Sequence, residues 1–173
     1  MKFTKAIEFK SCNKTVVKKA VTFDTNSKAC TKSIIVFSVD AVLFALSLVG
    51  LKVENEERLT RALIRELGPE TLNGIGRLIH EFSEASSAVD KARKMFSILK
   101  ILYDNHVLQD AISIAKDEMS TWDWIKTGLL AAGQLIAWFA TDGAAFIAEC
   151  ALVILSATDL IEDAVKVDKD CKK

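Results

Sequence analysis

The residues best equipped for chemistry are two histidines, four cysteines and several neighbouring carboxylates, and their spacing assembles no familiar reactive centre. Nucleophilic catalysis needs a nucleophile beside a positioned base, but the chain has no G-x-S-x-G and its histidines have no suggestive partners. His80, beside Glu81, falls on the polar flank of a helical pattern and reads as a solvated side chain. His106 follows a break and reads as a helix-terminus residue. Di-iron bundles require Glu-x-x-His pairs on two helices, and this chain has none. There is no C-x-x-C, and neither histidine is near a cysteine in sequence, so a zinc site is not expected. Asn73-Gly74-Ile75-Gly76 contains G-x-G without a preceding strand or a P-loop lysine, and reads as a flexible point. The carboxylate pairs Asp117-Glu118 and Glu162-Asp163 fall on polar helix faces, where solvation is the default. The expectation is a non-enzymatic protein with no catalytic residue, metal or cofactor.

Cys12, Cys30, Cys150 and Cys171 allow three pairings, either within each end of the chain or from the N-terminal arm to the C-terminal tail. The opening MKFTKAIEFKSCNK lacks the continuous apolar run of a secretory signal, so reduced thiols in a cytoplasmic protein are the default expectation. Disulfide bonding would instead indicate a secreted or membrane-associated protein.

The 173 residues suffice for one domain with a sizeable core. Half are apolar and the mean hydropathy is +0.23, yet 27% are charged, too many for a polytopic membrane protein. One proline and seven glycines leave little room for a turn-rich β fold. The net charge of zero hides a gradient: residues 1–32 carry +6 and residues 103–173 carry −6. A basic arm can dock on acidic lipid, on nucleic acid or on the chain's own acidic end. Its lysines are interleaved with few aromatics, so no nucleic acid is expected as a partner.

These groups must be held by helices. Residues 1–32 read as a loosely ordered basic arm or a short hairpin, and 33–173 as a single bundle domain of five to six helices. Residues 33–51 are apolar on nearly all faces and predict a buried helix. Asn55 caps a second helix, with Glu56 and Glu57 at the positive end of its dipole and Gly68-Pro69 at its close. From 70 to 103, Ile75, Leu78, Phe82, Ala85, Val89, Ala92, Phe96, Leu99 and Tyr103 recur in steps of three and four. That spacing predicts one long helix with a heptad stripe facing a partner helix. A break is expected near Asp104-Asn105-His106. Ser120-Thr121-Trp122-Asp123 has the form of a capped helix start, and a last helix runs to about Val167.

Residues 128–157, GLLAAGQLIAWFATDGAAFIAECALVILSA, contain two acids and no base. Thr141-Asp142-Gly143 divides them into arms, 127–140 and 143–156, each about 21 Å long as a helix. That falls short of the roughly 30 Å apolar thickness of a bilayer. A carboxylate at mid-membrane adds a penalty of roughly 2.5–3.5 kcal/mol, and Glu149 lies mid-arm. The expected arrangement is a central hairpin sheathed by amphipathic helices. Its membrane-facing residues would be Trp122, Trp124, Leu129, Leu135, Ile136, Trp138, Phe139, Phe146, Ile147 and Leu152, with Asp142 and Glu149 as pH-sensitive groups.

In layout, residues 33–167 are similar to α-helical pore-forming toxins and colicin-like bacteriocins, in which amphipathic helices sheath a hydrophobic helical hairpin in water. The resemblance implies a membrane-interacting, pore-forming protein whose hairpin is released by lipid contact, low pH or oligomerisation. Two other readings stand beside it. One is a soluble interaction bundle of immunity or adaptor type, whose heptad stripe binds another helical protein or a second copy of itself. The other treats 33–51 and 127–157 as true membrane spans.

Overall fold

The computed structural model describes residues 2–5, 21–24 and 27–172. Two short strands, β1 (Lys2–Lys5) and β2 (Val21–Asp24), pair antiparallel with Phe3 opposite Phe23. Cys12 and the other arm residues at 6–20 and 25–26 lie outside the described residues, while 28–32 belong to the first helix. The other described elements are helices: α1 (Lys28–Leu48), α2 (Glu56–Glu66), α3 (Pro69–Glu84), α4 (Ala88–Asp104), α5 (Val107–Glu118), the single turn α6 (Thr121–Asp123), α7 (Leu129–Ala140), α8 (Ala144–Val153) and α9 (Thr158–Cys171). A π-helical turn at Trp124–Gly128 joins α6 to α7, and a 3-10 turn at Ile154–Ser156 leads toward α9. Among the described residues the fold is all-α apart from the small β1–β2 ladder.

The central element is α1, packed on α9, α2 and α3. It starts at Lys28, ahead of the expected residue 33, because the Ser27 side chain accepts from Cys30 N and so caps the helix. Its 21 residues include an 18-residue window of mean hydropathy 1.8 that would suit a membrane span, but 56% of that window is buried inside the bundle. Gly76 explains how closely α3 approaches, since a Cβ there would lie 3.1 Å from Ile34 Cδ1. The Asn73–Gly76 segment is thus helix interior, not a flexible point.

The expected 70–103 helix is divided. Ser87 accepts from Asp90 N at 3.1 Å, a hydroxyl cap three residues ahead of an acid, and Ala85 turns extended before it. α4 therefore packs on α3 instead of continuing it. The heptad stripe is split accordingly: Ile75, Phe82 and Leu99 are buried, Leu78, Phe96 and Tyr103 half-buried, and Val89 is 44% exposed beside the break. The last expected helix also divides, at the 3-10 turn and Ala157.

Local caps hold the remaining ends. Asn55 accepts from Arg58 N at 3.1 Å, and Pro69 occupies the first turn of α3. Glu118, expected to be simply solvated, accepts from Glu54 N at 2.7 Å and Asn55 N at 3.0 Å, placing a carboxylate at the start of α2. Its neighbour Asp117 pairs with Arg58 at 2.9 Å. At the C-terminal end, Cys171 is bonded to Cys30 with Cα atoms 4.6 Å apart, Ser33 Oγ donates to Asp170 Oδ2, and Asp163 hydrogen-bonds Asp40. α9 is therefore fastened to α1 at several points along its length.

Candidate functional site

The apolar stretch at 128–157 forms a corner on the outside of the bundle. Ser120 accepts from Asp123 N at 3.1 Å and starts α6. The chain then underwinds into the wider π turn, whose last residue, Gly128, lies under the Trp124 ring; a Cβ there would come within 2.4 Å of Trp124 Cε3. Trp124 is half-buried with Lys116 Nζ 5.5 Å from its ring, whereas Trp122 is 68% exposed.

At Thr141-Asp142-Gly143 the axis turns through 108°. Thr141 Oγ1 donates to Ala137 O at 2.9 Å, and Asp142 Oδ1 accepts from Ala144 N at 3.1 Å, so the corner satisfies its own backbone groups. Gly143 has φ 74° and lies against the Phe96 ring, where only a residue without a side chain fits comfortably. Lys100 Nζ donates to Phe139 O at 2.7 Å, placing a cation at the C-terminal end of α7.

The inner side of the corner is a set of stacked rings. Phe96 lies parallel to Phe139 at 5.3 Å, and Phe146 sits 5.2 Å from Phe139 and 5.6 Å from Trp138. Such contacts add roughly 0.5–1.5 kcal/mol each beyond burial. They fix Trp138, Phe139 and Phe146 against α4, and Leu135 is buried with them. Cys150 is also buried, and burial pushes its thiol up to about 12.

The outer side departs from expectation. Along α7, Ala132, Leu135, Trp138 and Phe139 face inward, while Leu129, Leu130, Gly133, Gln134, Ile136, Ala137 and Ala140 face solvent. Gln134 is the sole polar side chain on that outward half. Leu130 is 79% exposed, and Ile125 in the preceding turn is exposed as well. On α8, Ala144, Ala145, Ala148, Glu149, Leu152 and Val153 face outward, with Leu152 at 83% and Leu155 exposed beyond it. Ile147 is half-buried, and Asp142 and Glu149 are both exposed.

Two expectations are therefore corrected. Residues 128–157 are neither central nor sheathed: α1 occupies the centre, and one half of α7 meets water. Nor do the two arms fold flat on each other, because the ring cluster draws each onto α4 and holds the turn open at 108°. Among the ten expected membrane-facing residues, Trp122, Leu129, Ile136 and Leu152 are exposed, and the others face partly or wholly inward. Ile125, Leu130, Val153 and Leu155 are exposed apolar residues that the sequence reading did not single out. A helix that is apolar all round carries no phase to say which half is covered.

His80 is a further correction. It is 1% exposed, with Nδ1 2.8 Å from Asp168 Oδ1 on α9. The polar flank on which it was placed exists only if α3 continues into α4; with the break at 85–87, that flank is the face that receives α9.

No protein-family model matches the chain, and no curated protein or solved structure matches it either. The functional reading therefore rests on the geometry of the corner.

Proposed function

We propose that this protein binds membranes by immersing the outward half of α7 and the end of α8 in the lipid interface. The observation that carries the reading is a helix apolar on every side, α7, of which only one side is covered by protein. Leu129, Leu130 and Ile136 project from the other side without a charged residue among them. Large exposed apolar surfaces on a folded chain mark interaction sites, and a face whose one polar side chain is the uncharged Gln134 suits the lipid interface. Trp122, at the entrance to the corner, suits the headgroup level, where an amphipathic ring prefers to lie.

The support is for shallow insertion. At 1.5 Å per residue the 12-residue α7 is about 18 Å long, well under the roughly 30 Å hydrocarbon core. The 108° corner gives it the form of a re-entrant wedge. Unlike the mechanism implied by pore-forming toxins, contact needs no release of a hidden hairpin, because the face is already presented. A secreted or membrane-associated setting accords with the Cys30–Cys171 bond, which persists in oxidising compartments.

The test is flotation of the disulfide-intact protein with zwitterionic and with anionic vesicles, beside a Leu130→Asp/Leu152→Asp variant. Wild type should float and the variant should not, while both run as the same species on size exclusion without lipid. Failure of the wild type to float on either vesicle type overturns the reading. A lipid-indifferent dimer that the variant dissolves would assign the face to a second copy of the chain.

A further inference from the structure

We propose that His80, Glu84 and Asp168 form a binding site for a divalent transition-metal ion, Zn2+ or Mn2+, that clamps α9 to α3. His80 and Glu84 stand one helical turn apart on α3, which puts them on one face, and Asp168 projects from α9 toward them. One ligand atom from each residue lies within 4.8 Å of the other two. His80 and Asp168 are buried and Glu84 is exposed, so two donors are fixed by packing and the third guards the open side.

The surroundings suit a cation. Ser83 Oγ donates to Asp168 Oδ2 at 2.8 Å and is itself placed by a 2.7 Å contact with His80 O. That hydrogen bond orients the carboxylate so that Oδ1 faces the imidazole, the outer-shell arrangement that metal-binding carboxylates use. Two carboxylates beside one imidazole call for positive charge. The nearby lysines supply part of it: Lys172 Nζ is 4.0 Å from Asp168 Oδ2, and Lys91, whose Nζ is directed at Phe82 O 3.0 Å away, also interacts with the Glu84 charge. Among the described residues none forms an ion pair with Glu84.

One imidazole and two carboxylates match the donor preferences of zinc and manganese, whereas calcium takes six to eight oxygens. Ligand atoms on a tetrahedral zinc lie roughly 3.5 Å apart, given Zn–N and Zn–O lengths of about 2.0–2.2 Å. Closure therefore needs a movement of about 1 Å, which the exposed Glu84 can make. A plain His–Asp–Ser hydrogen-bond trio accounts for His80, Asp168 and Ser83 and leaves Glu84 only its charge interaction with Lys91, so Glu84 separates the two accounts.

The experiment uses the full, disulfide-intact chain stripped with EDTA and titrated calorimetrically with Zn2+ and, separately, Mn2+. The expected result is one ion per chain and a higher Tm in its presence. Glu84→Gln should weaken binding at least about tenfold without changing the circular dichroism or Tm of the stripped protein, because the residue is exposed. Cys12→Ser should bind as wild type does. The proposal is overturned if neither ion binds at one per chain, if Glu84→Gln leaves affinity unchanged, or if Cys12→Ser abolishes binding.

Discussion

Asp40 on α1 and Asp163 on α9 meet as a carboxyl pair that shares a hydrogen bond across the central interface. Burial raises the Asp40 carboxyl from its usual 3.8 to about 7, and the hydrogen bond that protonated Asp40 donates to Asp163 and the negative charges of Asp163, Glu56 and Asp159 act in the same direction. The folded protein thus holds a proton that the unfolded chain releases near pH 4. This contribution to stability is complete below about pH 4 and is lost as pH rises through 7. Asp40→Asn, which keeps a hydrogen-bonding amide but cannot ionise, should gain on the wild type between pH 4 and 7 and remain ahead above it. Urea midpoints across that range measure the gap; a gap that does not change with pH contradicts the assignment. Acid therefore tightens α9 on α1, which runs against a low-pH trigger that loosens the bundle.

Gly143 allows a sharper test of the corner. A Cβ there would lie 2.1 Å from Phe96 Cε1, on a backbone with φ 74°. Gly143→Ala should destabilise by about 2–4 kcal/mol from left-handed strain and overlap with the ring. Gly133, mid-helix with nothing within 4 Å of its Cβ position, is the control: alanine there should stabilise by about 0.5–1 kcal/mol. Equal effects at both sites would mean that the corner is not packed on α4 as described.

Ala148 faces solvent on α8, two residues from buried Phe146. Ala148→Arg should leave stability within about 0.5 kcal/mol of wild type while reducing vesicle flotation. Phe146→Ala should instead lower stability by about 3–5 kcal/mol. Unfolding caused by Ala148→Arg would show that the outward face is covered.

The Cys30–Cys171 bond spans a sequence separation of 141 residues. In the chain-entropy account a loop of that size contributes about 4–5 kcal/mol. The double variant Cys30→Ser/Cys171→Ser should lose about that much by urea denaturation. A loss under 1 kcal/mol would mean that other contacts already confine the ends of the unfolded chain.

Much of the fold was legible wherever one residue type does one job. Asn55, Ser120 and Gly68-Pro69 mark helix ends by their side chains, and the structure places ends there. Ser87 with Asp90 carries a similar signature, but the heptad spacing on either side of it masked the break. That error displaced His80 from a buried face to a solvated one. The corner was legible in composition and illegible in exposure. α7 is apolar on both sides, and which side is covered depends on rings contributed by α4, far away in sequence. Cysteine pairing was illegible for a different reason: four cysteines permit three connectivities, and only the approach of α9 to α1 selects Cys30 with Cys171.

That same bond has a bearing on durability. Every connection from α1 to α9 lies inside the ring it closes, so a protease that nicks the exposed turn between α3 and α4 severs the backbone without parting the pieces. A chain cut there should migrate as one band on a non-reducing gel and as two after reduction.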